Sequence, residues 1–275
     1  MRVAVIGLGL IGGSVALAAR QRLGAETVGW DPDAAAVDAA VARGALVSGA
    51  GSLASAVTEA DAVFVAAPVC ALPDLVGAAL AAAPAGCLVT DVGSTKRAVV
   101  AAHHDRRFTG GHPLAGAQHA GVAHASADLF DGEFWYLTPG PASAPELLQR
   151  LRELVIAFGS RPVEIDAVSH DELLARFSHL PHVLANVLVA QAAAGAEGRA
   201  AAGPSFRDAT RVAGANTAMW TDIYRANRSA LVPVIDDTIA RLTAVRELLE
   251  RGDSKEIAAW NDAAAADRNH LMETS

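Results

Sequence analysis

The stretch VAVIGLGLIGGS, residues 3–14, decides how the first half of this chain folds. An apolar, valine-containing run ends at Gly7, and the spacing Gly7-x-Gly9-x-x-Gly12 follows at once. A strand that runs through a glycine turn into a helix opens a βαβ unit. The glycines allow a tight turn, and they let a pyrophosphate lie against the helix N-terminus. Unpaired N–H groups and the helix dipole favour anions there. Gly7, Leu8, Gly9, Leu10, Ile11 and Gly12 are therefore the candidate cofactor-binding residues. The alternative is a glycine turn that serves helix packing alone. The first twenty residues also have the outline of a secretory signal, a basic residue before an apolar run. Glycines at 7, 9, 12 and 13 make that run a poor apolar helix, so it is read as part of the fold.

Outward from this turn the pattern repeats. RVAVIG reads as a strand with a helix over 10–23, and ETVGW (26–30) as a strand with a helix over 33–43. DAVFVAAP (61–68) and GCLVTDVG (86–93) are further strands, each followed by a helical stretch. RFTGGHP (107–113), EFWYLTP (133–139) and a closing RPVEID (161–166) complete the set. Strands alternating with helices imply right-handed crossovers and a mostly parallel, doubly wound α/β sheet of the Rossmann type. After Asp166 the strand signals stop. Residues 168–197 read as one long helix interrupted by Pro181, and 205–270 as helices broken near Gly214 and Gly252. This predicts a nucleotide-binding domain over 1–166 and an all-helical domain over 167–275. No internal repeat or low-complexity linker is present, and an added regulatory domain is not expected.

Asp31 follows the second strand at the spacing where a carboxylate receives the adenosine ribose hydroxyls. It would repel a 2′-phosphate, so the expected cofactor is NAD rather than NADP. Ala67 and Pro68 end another strand at the carboxyl edge, where open parallel sheets bind ligands, and they join the candidate cofactor site. Ser94 follows a strand in DVGSTK (91–96). It is either the N-cap of the next helix or a site residue, and the two are compatible.

Composition limits the partners. The chain has 275 residues, 52% hydrophobic and 19% charged, which is a folded globular composition. Its net charge of −8 argues against a general nucleic-acid or anionic-membrane binder. No other run is uniformly apolar enough to be expected to span a membrane. The two cysteines, Cys70 and Cys87, sit in or beside apolar stretches. They read as buried thiols of a protein in a reducing, cytoplasmic compartment, with no zinc-site spacing.

The stretch GGHPLAGAQHAG (110–121) sets His112 between a glycine pair and a proline, with little other side-chain chemistry around it. It is either a surface turn or a site that needs close approach. In HDELLARFSHLPHVLANVLVAQ (170–191), His179, His182 and Asn186 share one helix face, and Pro181 removes an N–H between them. Satisfied structural histidines, or a zinc pair completed by His112, are the alternatives to a substrate pocket. The segment 205–228 carries four arginines (207, 211, 225, 228) against two aspartates (208, 222). Arg207 and Arg211, four apart, are expected to face the same way and suit an acidic small molecule. The alternative is a solvated face or an intersubunit salt-bridge network.

Taken in order, GLGLIGGS, DVGSTK, GGHPLAG, SHLPH and FRDATR…MW resemble the prephenate/arogenate dehydrogenases of tyrosine biosynthesis, over nearly the whole chain. The first motif is generic to nucleotide-binding folds; the last three together are specific. The resemblance implies a nucleotide-binding domain, a helical dimerisation domain and an active site in the cleft between them. It implies a homodimer, NAD as cofactor and prephenate as substrate. His112 would be the catalytic histidine, and Ser94 would help position it and the nicotinamide. His179, His182 and Arg211 would line the substrate pocket, Arg211 holding a carboxylate and Arg207 a more peripheral contact. Gln118 stands where relatives often carry an acidic residue, and so bears on the choice between prephenate and arogenate.

Arogenate dehydrogenase stays open as an alternative, and two further rival readings are favoured less by the residues present. A β-hydroxyacid dehydrogenase of the same plan needs a lysine on the long interdomain helix. This chain has only Lys96 and Lys255, and 168–197 has none. An NAD-sensing regulator needs an effector or DNA surface, and no basic helix-turn-helix is present.

Overall fold

A computed structural model of the chain describes residues 1–116, 119–194 and 203–273. Strand β1 (Arg2–Ile6) runs into helix α1 (Leu10–Leu23), the helix bounds that the glycine spacing predicts. Then come β2 (Glu26–Trp30), α2 (Ala34–Ala42), the edge strand β3 (Ser48–Gly49), α3 (Leu53–Val57), β4 (Ala62–Val65) and α4 (Leu72–Ala82). β5 (Leu88–Asp91), α5 (Arg97–Ala102), β6 (Phe108–Pro113), β7 (Phe134–Pro139), α6 (Pro145–Ala157) and β8 (Arg161–Glu164) complete the α/β part. Among the described residues these strands form one eight-stranded sheet, ordered β3-β2-β1-β4-β5-β6-β7-β8. The first six strands pair in parallel, β7 lies antiparallel to β6, and β8 pairs in parallel with β7. The strand order reverses between β1 and β4, and Gly7 follows β1 at that switch point, where such sheets bind ligands.

Both faces of the sheet are covered. Val3, Val5 and Phe64 pack with Val15 of α1 and Leu151 and Val155 of α6 on one side. Ala4, Ile6, Val63 and Val65 pack with Val57 of α3, Val76 of α4 and Val99 of α5 on the other. This is why VAVI and AVFV are continuous apolar runs rather than alternating ones. β3 escaped the sequence reading because two exposed residues, Ser48 and Gly49, carry no apolar signal.

The helical part holds α7 (Ala167–Leu174), a π-helical turn (Ala175–His179), α8 (Leu180–Ala194), α9 (Pro204–Thr210), a 3-10 turn (Arg211–Gly214) and α10 (Thr217–Ala226). α11 (Arg228–Arg251) and α12 (Ser254–Glu273) follow, with Gly252 at φ +68° in the expected break. The interruption expected near Pro181 takes the form of the π turn. The Leu180 N–H donates to the Ala175 carbonyl, five residues back, immediately before the proline that has no N–H to offer. Arg211 does not continue the helix of Arg207: α9 stops at Thr210 and Arg211 opens the 3-10 turn. The chain divides into two compact units, Met1–Arg228 and Ser229–Ser275, with the boundary after α10.

Two further expectations are corrected. Cys87 is buried, but Cys70 is exposed, because it lies on a 3-10 turn (Val69–Ala71) at the end of a strand rather than inside it. The helical run Ala167–Ala194 is long and apolar enough, by length and composition alone, to cross a membrane, where no such run was expected.

Candidate active site

The glycine turn is built as a cradle. Gly7 has φ +92°, and a Cβ there would stand 2.1 Å from the Ala66 carbonyl oxygen. A Cβ on Gly12 would stand 1.9 Å from the Gly7 oxygen. These two glycines are therefore fixed by the protein's own packing. Gly9 differs: it N-caps α1 without a side-chain cap, is exposed, and has no atom within 4 Å of the Cβ position. Leu10, Ile11 and Gly12 follow in the first turn of α1, where N–H groups lack intrahelical acceptors. The turn is thus open at the one glycine where a ligand backbone can approach. Leu8 is tied into the protein itself. Its side chain is buried in the core, and its N–H donates to Asp31 Oδ2 at 2.7 Å. That bond, with the Asp33 N–H donating to Asp31 Oδ1 at 2.9 Å, anchors the carboxylate beside the turn. Ala67 and Pro68 follow β4, half-buried and exposed respectively, with the Ala67 nitrogen 3.5 Å from the Gly7 Cβ position. An open, uncapped helix N-terminus with a fixed carboxylate at the second strand suits a dinucleotide with an unphosphorylated ribose.

His112 lies near the carboxyl end of β6 and is 7% exposed. The glycine pair before it serves the protein rather than a ligand. A Cβ on Gly110 would stand 2.3 Å from Thr138 Oγ1 and 3.3 Å from Lys96 Cδ. A Cβ on Gly111 would stand 2.6 Å from the Asp91 carbonyl oxygen. Only glycine lets β6 lie this close to β5 and to the buried Lys96 stem.

Beneath it lies a polar network that the sequence reading did not find. Lys96 and Asp91 are fully buried and form an ion pair. Asp91 also accepts from the Gly93 N–H at 2.8 Å and the Gly111 N–H at 3.2 Å. His112 Nδ1 is 2.9 Å from His170 Nε2, and His170 Nδ1 is 2.8 Å from Asp171 Oδ1. Asp171 further accepts the N–H groups of Lys96 (2.8 Å) and Arg97 (3.0 Å), so a carboxylate from α7 caps the start of α5. Ser94 is not that cap: the helix begins at Arg97, and Ser94 lies half-buried in the preceding segment without a hydrogen bond to His112. The only sequence signal for the network was the adjacent His170–Asp171 pair and one of the chain's two lysines beside a strand end.

A second group adjoins it. His179 and His182 are both buried. His182 stacks on Trp220, with ring centroids 3.7 Å apart and planes 5° apart, and hydrogen-bonds the Tyr224 hydroxyl. His179 meets Trp220 edge-on, and its Nδ1 is 3.1 Å from Asn227 Nδ2. The same Asn227 amide donates to the Asp171 carbonyl at 2.7 Å, which ties the two groups together. Asn186 is exposed, with its amide 3.4 Å from His182 Nδ1. The 3-10 turn that Arg211 opens packs against α8, the helix of His182. Arg211 is exposed and makes no ion pair among the described residues. Arg207 is exposed on α9. Gln118 lies outside the described residues. Among the described residues no three His, Cys, Asp or Glu side chains cluster to hold a metal ion.

Electrostatically, every imidazole here is held neutral. Burial, then His170, Lys96 and His179, push His112 well below the ordinary histidine value of 6.5. Burial lowers His170 despite Asp171, and it takes His179 down to about 4. Burial also lowers His182. Asp171 stays ionised: burial opposes its charge, but the bonds from His170 and from the Lys96 and Arg97 N–H groups outweigh it. A buried neutral imidazole on the same carboxyl edge of the sheet as an open dinucleotide cradle is the equipment of an alcohol oxidation that needs a base.

Comparison with known proteins agrees with this reading. Residues 15–164 match the family model for the prephenate dehydrogenase nucleotide-binding domain, and residues 166–262 match the prephenate dehydrogenase dimerization domain. A prephenate dehydrogenase of Bacillus subtilis is 34% identical over 98% of this chain and 76% of its own length. A prephenate dehydrogenase from A. aeolicus, solved in complex with hydroxyphenyl propionate and NAD+, superposes with a TM-score of 0.92 at 25% identity, covering 98% of each chain. Synechocystis arogenate dehydrogenase superposes with a TM-score of 0.87 at 28% identity, covering 98% of this chain and all of that one. With both family models matched in order and a relative above 30% identity across the chain, this protein belongs to the prephenate dehydrogenase family.

Proposed function

We propose that the protein catalyses the NAD-dependent oxidative decarboxylation of prephenate: prephenate and NAD+ give 4-hydroxyphenylpyruvate, CO2 and NADH. The observation that carries this reading is His112, a neutral buried imidazole near the carboxyl end of β6, bonded through Nδ1 to His170. Bound at Gly7–Gly12 with its ribose on Asp31, NAD+ supplies the acceptor for the hydride from ring carbon C4. His112 takes the proton of the C4 hydroxyl. Loss of CO2 from C1 leaves its electron pair in the ring, and the phenolate oxygen recovers the proton from His112. Aromatisation supplies most of the driving force, so the protein chiefly orients the dianion, polarises the hydroxyl and excludes water.

The remaining residues take roles by chemistry. Arg211, exposed and without an ion pair among the described residues, receives a substrate carboxylate, and Arg207 contributes more peripherally. His179 and His182, neutral and buried against Trp220, line the pocket. Ser94, in the segment between β5 and α5, contributes to positioning the nicotinamide. Gln118 offers a neutral amide, which suits the keto side chain of prephenate better than the ammonium of arogenate. The enzyme works as a homodimer in the reducing cytoplasm. α11 leaves Val232, Ile239, Leu242 and Leu249 more than half exposed, an apolar face of the kind that a second copy covers.

Adding prephenate and NAD+ and following NADH absorbance tests the reading. NADH forms with prephenate, and more slowly with arogenate. No NADH with either overturns it, and faster turnover of arogenate moves the assignment to that substrate.

A further inference from the structure

His170 and Asp171 have no part in the roles above, yet they are among the least exposed polar side chains in the protein, at 0% and 1%. An ionised carboxylate only accepts hydrogen bonds, so Asp171 Oδ1 fixes a proton on His170 Nδ1. In a neutral imidazole the other nitrogen then has no proton, so His170 Nε2 is an acceptor. Its partner at 2.9 Å is His112 Nδ1, which must therefore donate. A neutral His112 that carries its proton on Nδ1 has its lone pair on Nε2. The direction of the relay is fixed because Asp171 is locked: two backbone N–H groups of the α5 N-terminus hold it in place.

We propose that His170 and Asp171 are positioning residues that set the tautomer of His112, the carboxylate acting through one imidazole to leave Nε2 of the next as the proton acceptor. The proposal rests on His112 being the base. The groups that surround the relay are consistent with it. Lys96, paired with Asp91, places a positive charge near both rings, and His179 lies near His112. Tyr136 sits opposite His112 in the β6–β7 register and meets His170 edge-on, with ring centroids 5.5 Å apart. When His112 takes the substrate proton, the imidazolium finds a neutral acceptor at Nδ1, backed by the Asp171 charge. The relay therefore steadies the charged ring without moving a second proton.

The direct test is tautomer assignment by 15N NMR of the histidine ring nitrogens at neutral pH. The proposal predicts a protonated Nδ1 and an unprotonated Nε2 on His112 in the wild type. Asp171→Leu offers His170 no acceptor, so nothing fixes the proton on His170 Nδ1. The Nδ1 proton of His112 is then no longer imposed, with kcat down about 10²–10⁴-fold and KM and NAD+ affinity little changed. His170→Gln keeps an acceptor oxygen for His112 and should retain far more activity than His170→Leu, which offers none. A wild-type His112 protonated on Nε2 overturns the proposal, whether or not the variants fold. So does an Asp171→Leu protein that keeps the wild-type tautomer and kcat. If the NMR result holds but His112→Asn remains fully active, the relay stands and the assignment of His112 as base falls.

Discussion

In the proposed function a single carboxylate, Asp31, sets which dinucleotide the protein accepts. Its two oxygens are anchored by the Leu8 and Asp33 N–H groups, so its charge cannot swing away from a 2′-phosphate. Asp31→Ser should raise the use of NADP+ relative to NAD+, read as the ratio of kcat/KM values; a wild type that prefers NADP+ would refute the assignment. Arg211 is exposed and carries no ion pair among the described residues, so its removal costs the free protein little. Charge-assisted hydrogen bonds contribute about 1.5–3 kcal/mol, roughly one to two powers of ten in binding. Arg211→Gln should raise the KM for prephenate by that factor, with NAD+ affinity unchanged, and an unchanged KM would remove Arg211 from the pocket. Gln118→Asp should shift the kcat/KM ratio toward arogenate, since a carboxylate can pair with the ammonium that a neutral amide cannot.

The element that carries the cofactor reading is the first turn of α1, and its glycines are not equivalent. Gly12→Ala drives a Cβ to 1.9 Å from the Gly7 oxygen, which is backbone and cannot step aside. Overpacking of this kind costs about 1–3 kcal/mol, so the melting temperature should fall. Gly9→Ala meets nothing in the protein and should leave melting unchanged while weakening NAD+ binding, read by titration. If Gly9→Ala binds NAD+ normally, the ligand does not approach at that residue. The glycine spacing and apolar runs made β1, α1, β2 and the alternating order legible, because each depends on residues near in sequence. The π turn was legible only as a break at Pro181. Of the His112–His170–Asp171 relay only the adjacent His170–Asp171 pair was visible: His112 and His170 are 58 residues apart, and only the packing of α7 over α5 and β7 brings them together. The glycines at 110 and 111 suggest room for a ligand when read in sequence; in the fold they make room for Lys96, Thr138 and the Asp91 carbonyl.

At the scale of the molecule, four buried imidazoles, His112, His170, His179 and His182, all prefer to stay neutral in the folded state. The unfolded chain takes up these protons near pH 6.5, whereas the folded protein refuses them until lower pH, about 4 for His179. Between those limits the unfolded state binds more protons, so stability rises with pH and is lost on acidification. The denaturation midpoint should therefore fall steadily from about pH 7 to about pH 5; a flat profile would mean that these rings are not held neutral. In the proposed mechanism the same neutrality lets His112 act as the base. β6 carries the imidazole, α7 backs it, and the turn before α1 is shaped for the cofactor, so one side chain serves the whole assembly. The most direct measurement is kcat for prephenate in His112→Asn beside the wild type, with NAD+ affinity measured on both. The account predicts a fall of about 10²–10⁴-fold with NAD+ affinity unchanged; a near-normal kcat would contradict it.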